Sequence, residues 1–215
     1  MAPRIGWRRG VFLLSLLSSV ALSQAPPRRQ FSIVVYDAAG IGTKTLERTE
    51  HFGEVILSAS GLPSIWSAGK ASDLASLGTD FTARTTRECL VGPIPPVLRV
   101  RVLRTAPPGV APQTLGFSLP CARAGVPVTI YADHAATVSQ AGGPTFCRVL
   151  AYAIVHELGH VLLRSEAHEA SGLMKAIWSK GDWQRAAVSF ISFTPVDVRR
   201  IVAFDQPVAN GNIAP

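Results

Sequence analysis

The sequence predicts an α+β domain: a twisted, mixed β-sheet, one long helix, and a small C-terminal subdomain ending in a helix. Three observations carry this. The chain beyond residue 23 begins with a strand, a helix and a second strand, later β-rich runs read as antiparallel, and two helical patterns close it, the first long and strongly apolar. With 215 residues, 47% of them apolar and 16% charged, the chain can bury about two-thirds of its unfolded surface around one core. Three cysteines are too few for a disulfide-held scaffold.

Residues 1–23 stand apart. Arg4, Arg8 and Arg9 precede the apolar run Val11 to Leu22, which ends in small residues at Ala21 and Ser23. The run is too short for a spanning anchor and has the layout of a secretory signal peptide cut after Ser23. The expected product is a secreted or periplasmic domain, 24–215, with a sheet and helix lobe over 31–163 and a C-terminal lobe over 164–215. Removing the signal lowers the formal charge from +7 to +4, with 18 basic and 14 acidic residues. Arg99 and Arg101 alternate with Val100 and Val102 as on the wet face of a strand, so no basic footprint for nucleic acid is present. Export permits one disulfide, and Cys89 with Cys121 is the preferred pair because both fall in Pro/Gly-rich connections, whereas Cys147 starts a helix.

Phe31 to Tyr36 is β-branched, aromatic and short, which predicts the first strand. Thr43 or Thr45 can cap a helix through Ala59, with Leu46, Phe52, Val55, Ile56 and Ala59 forming its apolar stripe and Gly61 ending it. Pro63 to Trp66, Val97 to Leu103, Leu115 to Phe117 and Val126 to Tyr131 read as further strands, the last with the alternation of a sheet edge. After the break at Gly142-Gly-Pro144, Thr145 can cap a helix whose apolar residues recur from Phe146 to Leu163. Thr194 and Pro195 suit the cap and first turn of a closing helix over Phe193 to Phe204.

Within the long helix lies His156-Glu157-Leu158-Gly159-His160. Residues four apart share a helical face, so His156 and His160 can bind one Zn²⁺ through imidazole nitrogens. Glu157 projects beside them, where a carboxylate can take a proton from a water and pass it to a leaving amine. A catalytic zinc site needs a third protein ligand. His51 and His134 read as ordinary surface histidines. His168, eight residues past His160, is the preferred third ligand, since imidazole suits the site better than the carboxylate of Glu166, the alternative. Glu169 would serve only in a longer loop.

His156-Glu-Leu-Gly-His160, the turn to His168, and Ser171-Gly-Leu-Met174 together resemble the metzincin clan of zinc metallopeptidases. Leu163 stands where that clan has glycine and Glu166 where it has its third ligand, so the loop to His168 is two residues longer. The chain more closely resembles exported bacterial metzincin-like proteins in which a tryptophan, here Trp178, follows the methionine, and this likeness runs from the first strand to the closing helix. The resemblance implies that Met174 lies in a turn forming an apolar floor beneath the metal. It also implies that the strand before the catalytic helix, with Val128, Ile130 and Tyr131, is the sheet edge that receives an extended peptide by strand addition.

Other chemistries fit poorly. Gly40-Ile-Gly-Thr-Lys44-Thr45 lacks the glycine before Lys that a phosphate loop needs, no Gly-x-Ser-x-Gly occurs, and the histidines that belong to a motif are already used by the metal, leaving none of them to activate a cysteine. The expected function is an exported, monomeric zinc endopeptidase acting on peptides or proteins, with no stable membrane anchor. The alternative is a zinc-stabilised secreted binding module without catalysis, in which Arg164 and Glu166 close or neutralise the metal's open position.

Overall fold

The computed structural model describes residues 30–77, 94–122 and 125–205. Residues 1–23, expected to be a signal peptide, and Cys89 lie outside the described residues. Five strands and five helices are described: β1 (Phe31–Asp37), α1 (Thr43–Ala59), β2 (Ser64–Gly69), β3 (Val97–Leu103), β4 (Gly116–Ser118), β5 (Val128–Tyr131), α2 (Ala132–Gln140), α3 (Phe146–Leu163), α4 (Lys180–Val188) and α5 (Pro195–Asp205). A short 3-10 turn follows β2 at Ala71–Ala75.

β1 forms because alternate side chains, Phe31, Ile33 and Val35, enter the core. In β3 the same alternation buries Leu98, Val100 and Val102 and leaves Arg99 and Arg101 half-buried on the other face, as a one-sided strand should. Arg101 Nε donates to Thr129 Oγ1 across that face at 2.8 Å. The strands join in the order β2-β1-β3-β5-β4. The first four run parallel and only β4 runs antiparallel, to β5. The sheet is thus mixed, as expected, but the strands after the β-α-β start are not generally antiparallel.

A second correction matters more. Val128, Ile130 and Tyr131 belong to an interior strand, paired with β3 on one side and β4 on the other, and all four residues of β5 are buried. Among the described residues, the edge beside the long helix is β4. Alternation could not reveal this, because it records which faces are covered and not which edges are paired.

α3 is almost entirely buried and packs against α1, α2, α5, β4 and β5. Among the described residues it is the one helix long and apolar enough to cross a membrane, yet 78% of it is buried within the protein. Cys147, near its start, is a buried free thiol, while Cys121 is disulfide-bonded; the expected pairing falls on undescribed Cys89. Thr145 occupies the cap position without a side-chain capping bond. Thr194, by contrast, caps α5 reciprocally with Asp197. At the start of α1 neither Thr43 nor Thr45 caps; instead Asp37 Oδ1 accepts from the amides of Ala39, Gly40 and Ile41 at 3.1, 2.7 and 3.1 Å, and Oδ2 from Gly42 at 3.2 Å. The amides that a phosphate loop would offer an anion are already engaged by the chain's own carboxylate.

Candidate metal centre

α3 carries His156 and His160 one turn apart on its cleft-facing side. The helix stops where Arg164 adopts a left-handed conformation, φ 52°, and the Ser165 amide donates back to the His160 carbonyl at 3.1 Å. That turn brings the Ser165 carbonyl to 2.8 Å from His160 Nδ1, while the Leu173 carbonyl lies 2.8 Å from His156 Nδ1. A carbonyl only accepts, so each Nδ1 carries the proton and each Nε2 keeps its lone pair for a metal. His168 follows on the loop, secured where the Glu169 amide donates to the Met174 carbonyl at 2.9 Å.

The ligand atoms of His156, His160 and His168 lie within 4.8 Å of one another. A zinc ion with Zn–N bonds of about 2.0–2.1 Å can bridge that spread with small side-chain rotations. Burial pushes the His156 imidazole down to about 4, further lowered by its histidine neighbours and opposed by the Leu173 bond. Burial lowers His160 too. Neutral imidazoles are the form that binds metal. The three histidines therefore make a site able to hold Zn²⁺.

Glu157 borders the same cleft. Burial raises its carboxyl to about 7, opposed by a 2.7 Å hydrogen bond donated by Ser118 Oγ to Oε2. Gly159, the motif's glycine, faces inward: a Cβ there would collide with Met174 Sδ and come within 2.8 Å of the Phe193 ring. Met174 is fully buried directly under the helix.

A cleft of about 570 Å³ opens over the histidines, between β4 and the segment after Met174. One wall is aromatic, with ring centroids of Tyr152 and Trp178 5.1 Å apart and of Trp178 and Trp183 4.6 Å apart. Lys175 lies beside it, its charge paired with Asp182 at 2.7 Å. Asp182 also accepts from Ser179 and Arg185, and its carboxyl is held well below the usual range, chiefly by Lys175.

Glu166 lines the cleft, but its carboxylate is not among the converging donors. Arg164 does not line the cleft; it is buried with its guanidinium 4.8 Å from the Phe204 ring, so it cannot block the open position. His51 is exposed on α1, and His134 pairs its Nδ1 with the Thr114 carbonyl at 2.7 Å, away from the trio. Sequence reasoning missed Ser118, the β4 edge and Trp183. Ser118 had no local signal, whereas Ser179-x-x-Asp182, the capping box that starts α4 just before Trp183, was readable.

In sequence, neither a protein-family model nor a curated protein matches the chain. Several solved structures match, two of them zinc-dependent peptidases by name or family. A zinc-dependent peptidase from Methanocorpusculum labreanum matches with a TM-score of 0.49 and 11% identity over 79% of this chain and 99% of its own. An archaemetzincin from Methanopyrus kandleri matches at 0.49 and 12%, over 84% and 98%. At this level of likeness the chemistry of the site rests on this chain's own residues.

Proposed function

We propose that the chain is an exported zinc-dependent endopeptidase of metzincin type. The observation that carries this reading is the convergence of three imidazole ligand atoms beside a carboxylate in an open cleft. Zinc bound there supplies a Lewis acid for the scissile carbonyl and lowers the pKa of a water. His156 and His160, oriented by the Leu173 and Ser165 carbonyls, hold the ion with His168. Glu157 takes a proton from the attacking water and delivers it to the leaving amine.

An extended peptide would pair along β4, the strand that ends the sheet beside the cleft. Met174 takes the part of the apolar turn beneath the metal. Residues 1–23 act as the export signal, leaving a secreted or periplasmic monomer without a membrane anchor.

Metal analysis and proteomic cleavage-site profiling of the purified wild type and Glu157→Gln test the reading. Both proteins should carry about one zinc per chain, and the variant should lose about a hundredfold to ten-thousandfold in rate. Zinc-loaded wild type that leaves a diverse peptide library intact would favour the binding module instead.

A further inference from the structure

We propose that Ser118 is a positioning residue that fixes the Glu157 carboxylate and ties it to the strand along which the substrate pairs, an inference that rests on the peptidase reading above. The bond joins the last residue of β4 to the middle of α3, 39 positions away in sequence, at 2.7 Å. It is the carboxylate's one hydrogen bond to protein among the described residues, and it engages Oε2, leaving Oε1 for the reacting water. A glutamate's terminal torsion is broad, so an untethered carboxylate would sample many orientations. A hydroxyl donor to an anionic oxygen is short and strong enough to select one of them.

The strand is built for this approach. Gly116 shares the Ser118 face, and a Cβ at Gly116 would collide with the Thr129 carbonyl and come within 3.3 Å of Glu157 Cγ. Phe117, between them, points the other way and is exposed. A peptide pairing with the outer edge of β4 therefore registers against the same short strand that carries Ser118 to the base. In the transfer step the water's oxygen bonds to the scissile carbonyl carbon as its proton moves to Glu157, and that proton then passes to the leaving nitrogen as the C–N bond breaks. Ser118 keeps its own proton throughout.

The test compares Ser118→Ala and Ser118→Thr, each with and without Glu157→Gln, for kcat, KM, zinc content and melting temperature. Ser118→Ala should keep its zinc and lower kcat about tenfold to a hundredfold with KM within about twofold. Ser118→Thr should restore most of the rate, and Ser118→Ala should cost nothing further beside Glu157→Gln. In metal-free protein, the destabilisations from Ser118→Ala and Glu157→Ala should be non-additive in denaturant unfolding. If the alanine variant fails to fold, Ser118→Cys, a weaker donor of similar size, is read the same way. An unchanged kcat, a rise in KM alone, loss of zinc, or strict additivity overturns the proposal while a cleaving wild type leaves the peptidase reading standing. Zinc-loaded wild type that cleaves nothing overturns both.

Discussion

Two regions of this molecule gather polar groups against helix α1 or helix α3, and they end in opposite states. Before α1, four successive amides from Ala39 to Gly42 converge on Asp37, so every donor has an acceptor within the chain. Along α3, the Nδ1 protons of His156 and His160 are satisfied by backbone carbonyls, while the ligand atoms of these two and His168 gather within 4.8 Å of one another. The first cluster completes itself. In the second, two of the three imidazoles are satisfied on their rear side, which orients their Nε2 lone pairs towards the third and leaves a cation as the natural partner. A satisfied polar cluster thus reads as architecture, and one satisfied only behind reads as a binding site.

His160→Ala should break this contrast most sharply. Zinc stoichiometry, read by metal analysis, should fall from about one per chain to near zero. In wild type, chelation should remove about 4 kcal/mol of stability when free zinc stands at a thousand times Kd, an effect the variant should lack in denaturant unfolding. Gly159→Leu drives a side chain into Met174 and Phe193; unfolding should show a loss of about 3 kcal/mol from overpacking. Zinc affinity should weaken with it, because Leu173, whose carbonyl orients His156, adjoins Met174.

Asp37→Ala sharpens the comparison from the other side. Orphaning the four amides should cost about 2–3 kcal/mol, while zinc content and cleavage stay as in wild type; a fall in zinc would show that the two regions are coupled. The smallest effect concerns Asp182, which anchors Lys175 beside the aromatic wall. Its carboxyl is depressed in the folded state, so its contribution is present above the ordinary carboxylate range, near pH 4, and is lost as pH falls below it. Wild type should therefore lose stability more steeply than Asp182→Asn between about pH 5 and 3, as seen by thermal melts.

Legibility followed the range of the interactions. β1, β3, α1 and α3 were readable because their periodic apolar residues meet the core directly. α2 escaped because Ala132–Gln140 is rich in alanine and small polar residues, and Tyr131 at its cap position makes no side-chain capping bond. α4 was readable but unread, since Ser179 and Asp182 form a full capping box. The two histidines of α3 and Glu157 stood out because one helical turn places them together, whereas His168 had to be chosen over Glu166 across a loop whose path no local rule sets.

By itself the sequence determined the long apolar helix, the one-turn spacing of its two histidines, the carboxylate beside them and the one-sided character of β3, all consequences of periods of 3.6 and 2 residues. Only the tertiary structure decided that β4 and not β5 is the edge, that Leu173 and Ser165 orient the imidazoles, that Asp37 closes its own loop, and that Ser118 meets Glu157. These contacts join segments through chain reversals and strand pairing. Their outcome depends on burial summed over the whole sheet and helix layer, a quantity that no single stretch of residues carries.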